Sequence, residues 1–494
     1  MKRMINLITL AISFAASVAV AEWEILSEHW YGVTIDGAKS GHVHQLLEAK
    51  DSQLRSTNIQ EMTLSRAGIE LQIKVNTIFT ETVDGKPVSV ITKQEAMGQM
   101  SKTTWLFKDD KIMTIAEAGG EPVQKIVDAP TKKWLTPHAV KRMFLQKMGE
   151  DQPIISYVTM SPELGINPVT VTLTKLGEET VVVMGREMEV MKYESTNNVL
   201  PVASSEWYTS EGLNVGSEMN AGFGAIRNTL MTKQDAIAQV NEVPELMISM
   251  FIEPNKRIPE DEDLSRIVMK IQSKDGSKVE LPNSGHQFVT SNDDGTATVI
   301  VDLDKSVPAT SDELDSPSYM AATAICDASD EAVIAIAADT LATLPENAAD
   351  LDKAKALRKK VFDFIENKGL STAFASASQT ARDRKGDCSE HGVLLCGVLR
   401  AVGIPSRGVM GLVYVPMLKE NGVFGWHMWS QALIDGHWID LDATLETVHS
   451  VGHVTTLTTP LSDETLSADM AGLMGTLGNL EAFRDWGFAG DYVE

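Results

Sequence analysis

The sequence predicts an α+β protein with three parts: a large antiparallel β-rich domain over residues 22–240, a small β accessory domain over 245–310, and a helix-rich domain over 311–494 that also holds strands. Three observations carry this reading. Apolar and polar residues alternate with period two in the first part, turn pairs punctuate that alternation, and beyond about Ser311 the apolar period becomes helical. At 494 residues the chain can bury several cores, and 43% hydrophobic and 22% charged residues are ordinary for a folded globular chain.

The first 21 residues stand apart. Lys2 and Arg3 precede a mostly apolar run over 4–18, and Ala19-Val20-Ala21 places small residues before Glu22. A basic head, a short apolar middle and a small-residue cut site make a secretory signal peptide. Beyond it, no stretch has the ~20 consecutive apolar residues of a membrane-spanning helix, so the expectation is a periplasmic or secreted chain without an integral membrane span after signal removal. Taking Lys2 and Arg3 from the 43 basic residues leaves 41 against 68 acidic ones, which moves the formal net charge from −25 to −27. Such a field repels phosphate backbones, so no nucleic-acid partner is expected.

In the β-rich part Ile69, Leu71, Ile73 and Val75 alternate with Glu70, Gln72, Lys74 and Asn76, which sets the apolar side chains on one strand face. The adjacent Ile78 and Phe79 break that phase and predict a bulge or bend. Turn pairs at Asp36-Gly37, Asp84-Gly85 and Asp109-Asp110 separate segments rich in β-formers. A helical stretch over 137–148 interrupts the sheet, and 181–184 and 207–208 resume it. In the accessory part, strands are expected at 267–271, 278–281 and 298–303, with turns at Asp275-Gly276 and Asp294-Gly295. Pro254, Pro259 and the acidic run 260–263 mark its edge.

In the helical part Leu351, Ala354, Leu357, Val361 and Ile365 follow helical spacing, and Gly369 would be a left-handed stop. The next helix carries Leu394, Leu395, Val398, Leu399 and Val402 and stops at Gly403. Because Gly386-Asp387-Cys388 precedes that run, Cys388 falls at or near a helix N-terminus. Strand-like pieces follow at 407–414, 427–434 and 438–441.

The chain has three cysteines, Cys326, Cys388 and Cys396. Cys388 and Cys396 lie eight residues apart in one helical pattern, about 12 Å of rise, too far to bridge, so only Cys326 could pair with either. A thiol at a helix N-terminus sees unpaired N–H groups and a partial positive charge, which favour the thiolate nucleophile. A histidine within hydrogen-bond reach would complete a thiolate–imidazolium pair, and a carboxylate would orient the ring. His427, in Gly425-Trp426-His427-Met428-Trp429, supplies the first. Asp442 supplies the second, 15 residues on and across the Asp435-Gly436 turn, on a neighbouring strand.

Five blocks in order carry a family resemblance: Gly386-Asp387-Cys388-Ser389-Glu390-His391, the run from Leu399 through Gly403-Ile404-Pro405 to Arg407, Gly411-Leu412-Val413-Tyr414, His427-Met428-Trp429, and Trp438-Ile439-Asp440-Leu441-Asp442-Ala443-Thr444. Together they resemble the bacterial transglutaminase-like superfamily, which implies a papain-like core with the Cys helix packed on an antiparallel sheet. By motif, the resemblance implies Cys388 as nucleophile, His427 as general base and then acid, and Asp442 as orienting carboxylate. Two positions depart from the family pattern: Asp442-Ala443-Thr444 where Asp-Pro-Thr is frequent, and Gln431 where Glu is. The N-terminal Trp30-Tyr31-Gly32-Val33 and Asp36-Gly37 region resembles β domains of the cell envelope.

Other readings of the same residues stay open at this level. Asp440 rivals Asp442, being two residues away on the same strand face. His391, three residues after Cys388, is half a zinc site that would need His427 and His437. Arg400 and Arg407 could bind a substrate carboxylate or make structural salt bridges, and Trp426 and Trp429 could wall the cleft or fill the core. Cys396 reads as core. The Cys388 N–H is the expected oxyanion donor, with Gln379 a weaker candidate for a second. The acidic tail, Asp463, Glu464, Asp469, Glu481, Asp485, Asp491 and Glu494, reads as a solvated face or a lid.

The expected activity is attack of Cys388 on a peptide or protein amide and a thioester intermediate, resolved by water more readily than by an amine, with no metal or organic cofactor. The alternative is an inactive scaffold whose N-terminal β domain binds an envelope lipid, glycan or protein.

Overall fold

A computed structural model describes residues 22–488 except 201, 221–223, 241, 246–247, 260–263, 371–373, 448, 464–465, 467–468, 470–479 and 481–483. Residues 1–21, where a signal peptide is expected, and Glu464, Glu481, Asp491 and Glu494 of the acidic tail lie outside the described residues.

Fourteen strands pair in one antiparallel sheet centred on β1 (Glu24–Ile35). On one side β2 (Ala38–Lys50), β3 (Gln53–Arg66), β4 (Ile69–Thr82) and β5 (Pro87–Ala96) follow in order, then β6 (Gln99–Lys108), β7 (Lys111–Glu117) and β8 (Val123–Asp128). On the other side the order runs backwards, from β14 (Ala225–Met231) and β13 (Asn214–Asn220) through β12 (Ser204–Tyr208) and β11 (Arg186–Asn197) to β10 (Pro168–Val183) and β9 (Ile154–Met160). Two-residue turns with positive φ at both positions, Asp36-Gly37 (47° and 83°) among them, join hairpins in the sense that matches strand twist.

The sheet curls on itself. Phe79, Val90, Trp105 and Ile112 of β4 to β7 share one buried cluster with Met160 of β9, the strand at the opposite end of the order. The α1 helix (Pro137–Gly149), foreseen at 137–148, covers the β9 to β12 face through Phe144 against Tyr193 and Tyr208. Its N-terminus is capped by the fully buried Glu81 of β4, which accepts from the Thr136 hydroxyl and from the His138 amide at 2.9 Å.

The expected break at Ile78 and Phe79 does not occur there. The face of Leu71 continues through Thr77, Phe79 and Glu81, all buried, and Ile78 occupies the other face. Polar residues on the buried face disguised the alternation, and the one irregularity in pairing with β5 falls between Thr80 and Glu81.

The accessory sheet has the order β16 (Gln287–Ser291), β17 (Ala297–Asp302), β15 (Arg266–Ile271), β22 (Arg484–Phe488). Residues 278–281 are not a strand: Val279 is buried and its N–H bonds the Gly295 carbonyl, but the segment forms no ladder. The strand foreseen there lies instead at β16. The acidic tail is also more than a solvated face, since its backbone supplies β22, pairing Ile267 with Phe488.

The short helix α2 (Lys233–Ala236) lies against β1 and β2 of the large sheet, α3 (Ser311–Asp315) opens the third part, and the helices and strands between 331 and 459 form the helix-and-sheet core. The helices α4 (Glu331–Leu341), α5 (Asp350–Phe364) and α6 (Ala377–Asp383) surround α7 (Cys388–Ala401). Every residue of α7 from Ser389 to Arg400 is buried, as expected for its all-apolar middle, 392–399, and with Glu390, His391 and Arg400 bonded at its two ends. It lies against β18 (Ser406–Val415) and β19 (Val423–Ile434), which pair with β21 (His453–Thr459) and β20 (His437–Leu441) in the order β20, β19, β18, β21. Gly403, with φ of 84°, makes the foreseen stop after α7. Gly369 does not stop α5: the helix ends at Phe364 because buried Ile365 turns extended and the chain runs on to a bridge between Asn367 and Lys385.

Candidate active site

Cys388 is the first residue of α7, and its surroundings explain the helix start. Asp387 is the N-cap: its Oδ1 accepts from the Ser389 amide at 2.9 Å and the Ser389 hydroxyl at 2.8 Å, while Glu390 Oε2 accepts the Asp387 amide at 2.9 Å. Gly386, with φ of 157°, is required because a Cβ there would strike the Glu390 side chain. His391 Nδ1 lies 2.6 Å from the Asp387 carbonyl, so Glu390 and His391 both brace the helix start. Burial pushes His391 down to about 4 and keeps it neutral. The large sheet reaches this point too, because Arg66 at the end of β3 pairs with Asp387 Oδ2 at 2.6 Å.

That ion pair joins the N-terminal sheet to the residue before the thiol. Replacing Asp387 by Ala removes the cap and leaves Arg66 without this carboxylate, and is expected to cost about 1–2 kcal/mol. Urea unfolding measures it. A change under about 0.5 kcal/mol would mean that neither contact matters to stability.

The structure brings the three foreseen residues together. His427 of β19 directs Nε2 to Asp442 Oδ2 at 2.7 Å, and Cys388 lies close enough to the ring to help hold its charge. Burial opposes charge on this ring, but the charge and hydrogen bond of Asp442, together with Cys388, outweigh it and raise its pKa to about 10. Asp442 would be raised by its own burial, yet the His427 charge and the hydrogen bonds from His427 and His453 hold it well below the usual carboxylate range. Its Oδ1 accepts the Thr444 amide at 2.7 Å.

Asp440 does not join this group. Its Oδ1 accepts from Trp429 Nε1 at 2.7 Å and Gln431 Nε2 at 2.8 Å, and its Oδ2 takes the His286 amide at 2.7 Å, with His286 Nδ1 at 2.8 Å. Asp440 thereby ties the accessory loop at Ser284 to His286 onto β19 and β20. Trp429 is core and wall at once: it is buried, and its ring centroid is 6.1 Å from His427.

The other candidates are accounted for. Arg400 bonds the carbonyls of Ala321, Ser406 and Pro460 at 2.7–2.8 Å. Arg407 pairs with Glu313, bonds Gln431 at 2.8 Å and stacks over Trp438 at 3.8 Å. Both are structural. Gln379 packs against Gly119 of the large sheet's β7–β8 turn. The zinc set of Cys388, His391, His427 and His437 is not assembled. Instead His391 and His437 face the carbonyls of Asp387 and Asp435, and the metal-like groupings among the described residues are His286–Asp440–His449 and His427–Asp442–His453. All three cysteines are free, with Cys326 and Cys396 buried.

Residues that the sequence reading missed complete the site. His453 of β21 reaches Asp442 Oδ2 at 3.1 Å. Buried Arg358 of α5 donates through Nε to the Asp442 carbonyl and through Nη2 to the carbonyls of Leu445, Glu446 and Thr447. Arg358 had a readable signal, as it lies on the stripe of Ala354, Leu357, Val361 and Ile365. His453 lies only 11 residues beyond Asp442 but falls in no motif, and Arg66 had no signal because Asp387 is far away in sequence.

Residues 336–443 match the family model described as the transglutaminase-like superfamily. No curated protein matches the chain. Among solved structures, a β-barrel-like protein of a domain of unknown function from Brucella abortus aligns over 42% of this chain and 95% of its own, at 11% identity and a TM-score of 0.32. A candidate cysteine protease from Cytophaga hutchinsonii aligns over 45% of this chain and 84% of its own, at 19% identity and a TM-score of 0.28. A candidate protease from Parabacteroides distasonis covers 69% and 63%, at 14% identity and a TM-score of 0.17. Residues 336–443, which follow the large antiparallel β sheet in the chain and include Cys388, His427 and Asp442, are thus similar to the transglutaminase-like superfamily.

Proposed function

We propose that the chain is an exported cysteine enzyme that breaks peptide or protein amide bonds through Cys388, His427 and Asp442. The carrying observation is the 2.7 Å His427–Asp442 pair beside Cys388, the first residue of a buried helix, with Cys388 among the groups that hold the charge on the His427 ring. The Cys388 thiolate attacks the amide carbonyl, the C–N bond breaks as His427 gives its proton to the departing amine, and a thioester remains. Water, deprotonated by His427, then releases the acid and restores the thiol. The Cys388 amide, at the first helical position, is one donor for the oxyanion. Hydrolysis is preferred to amine transfer because bacterial chains of this resemblance are mostly protease-like.

The test incubates the protein that starts at Glu22 with a mixed peptide pool and a labelled primary amine, and follows the products by mass spectrometry. The expected result is cleaved peptides carrying ¹⁸O from labelled water, an acyl adduct on Cys388, and neither with Cys388→Ala. Predominant amine incorporation would reverse the hydrolytic preference. Identical products from the wild type and Cys388→Ala would sink the proposal.

A further inference from the structure

Asp442 Oδ2 has two imidazoles on it: His427 Nε2 at 2.7 Å and His453 Nε2 at 3.1 Å. An ionised carboxylate only accepts hydrogen bonds, so His453 Nε2 must carry a proton to be held there. Its Nδ1 then faces the Ser450 amide at 3.2 Å, the Ser450 hydroxyl at 3.1 Å and the Ser450 carbonyl at 3.1 Å; the amide can only donate, so the nitrogen that accepts it is bare. The loop before β21 therefore sets the tautomer that gives a proton to Asp442. The side chain of His453 is completely buried, so this is a fixed interior contact.

The other groups around His453 leave that role to it. His449 stacks 4.2 Å away and is neutral, its pKa pushed down to about 3 chiefly by burial. His449 Nε2 looks toward Asp440, at 3.8 Å, and not toward Asp442. Trp429 meets the His453 ring edge-on at 5.1 Å, and its indole N–H is committed to Asp440. The His427 ring lies 5.9 Å away. The Oδ2 atom that orients His427 is thus held in place by His453.

We infer that His453 is a positioning residue that fixes the Asp442 carboxylate so that His427 presents its other nitrogen to Cys388. This rests on the assignment of Cys388, His427 and Asp442 proposed above. The role belongs to one proton at one nitrogen, and the two amide side chains that mimic a histidine separate that proton from simple packing. Gln at 453 can place an N–H where Nε2 stands, whereas Asn is too short and keeps only the Ser450 side of the ring.

The experiment measures iodoacetamide alkylation of Cys388 against pH in the full chain from Glu22, for the wild type, His453→Gln, His453→Asn and His427→Ala, with thermal melts of each. Expected are a His453→Gln profile within about twofold of wild type, and a His453→Asn rate at pH 6 about tenfold lower with its rise moved to higher pH. Equal profiles for Gln and Asn, or a wild-type profile for Asn, would overturn the inference. If His453→Asn does not fold, His453→Gln decides alone: a pH profile moved to that of His427→Ala would overturn it, and a wild-type profile supports it. If wild type and His427→Ala coincide, the underlying assignment has failed, a result separate from failure of the His453 role.

Discussion

Iodoacetamide is expected to alkylate Cys388 at a rate that has already levelled off by pH 7, and His427→Ala should lower the pH 7 rate by roughly 30-fold. The magnitude follows from the thiolate fraction. An unassisted thiol of pKa ~8.5 is about 3% thiolate at pH 7, whereas a thiol paired with imidazolium is almost wholly ionised. The pair should persist far above neutrality, because Asp442 and Cys388 overcome the burial of His427 and raise its pKa to about 10. A raised pKa means that the proton is held below pH 10 and lost above it. Proton donation to a departing amine should therefore be flat through neutral pH and fail as the pH rises through about 10. The same shift makes a stability contribution that is fully present below about pH 6.5 and disappears between there and about pH 10. Peptide mapping can assign the label without substituting the other thiols, since both are buried and burial pushes Cys326 up to about 12. A wild-type rate that rises like a free thiol, indifferent to His427, would mean that no working pair exists.

Arg358→Met is expected to destabilise the protein by about 3–5 kcal/mol, the largest loss of stability foreseen for a single change outside the three site residues. The guanidinium is 2% exposed and satisfies four backbone carbonyls, those of Asp442, Leu445, Glu446 and Thr447. Methionine fills much of the volume but donates nothing, so these oxygens lose their partner together. At about 2–4 °C per kcal/mol, the melting midpoint should fall by roughly 10 °C. Arg358→Lys should recover little, because a single ammonium cannot reproduce the planar fork. A fall under about 2 °C for Arg358→Met would show that the carbonyls find other partners. Because one of the four belongs to Asp442, the substitution is also expected to slow alkylation at pH 6 before it unfolds the chain.

Arg358 also shows why only part of the site was legible. Cys388, His427 and Asp442 were readable because each depends on local sequence: a capped helix start, an aromatic-flanked strand, and a two-residue turn whose φ values of 50° and 78° set the hairpin register. The choice between Asp440 and Asp442 could not be made from strand parity, as both point to the same face. It is decided by what lies opposite. His286 and Trp429 take Asp440, whereas His427 and His453 take Asp442.

The same division runs through the fold. Helix α7, its cap and its glycine stop, the β18 to β20 strands and the α1 interruption follow from periodicity and capping, which act within a few residues. The strand expected at 278–281 failed because a buried Val279 does not require a paired backbone, and β16, which forms a hairpin with β17, was hidden in a short, partly polar segment. Nothing local announces that β22 joins β15, or that Arg66 reaches Asp387 from another sheet.

By itself the sequence determined the class of fold, the order of its parts and three residues that the fold brings to one candidate site, because helix starts, turns and alternation are short-range physics. Tertiary structure alone decided how the large sheet curls, which carboxylate orients His427, and that His453, Arg358 and Arg66 support the site. Those outcomes depend on which donors meet a buried oxygen across long chain separations, and hydrogen-bond satisfaction in the interior is a property of the folded whole.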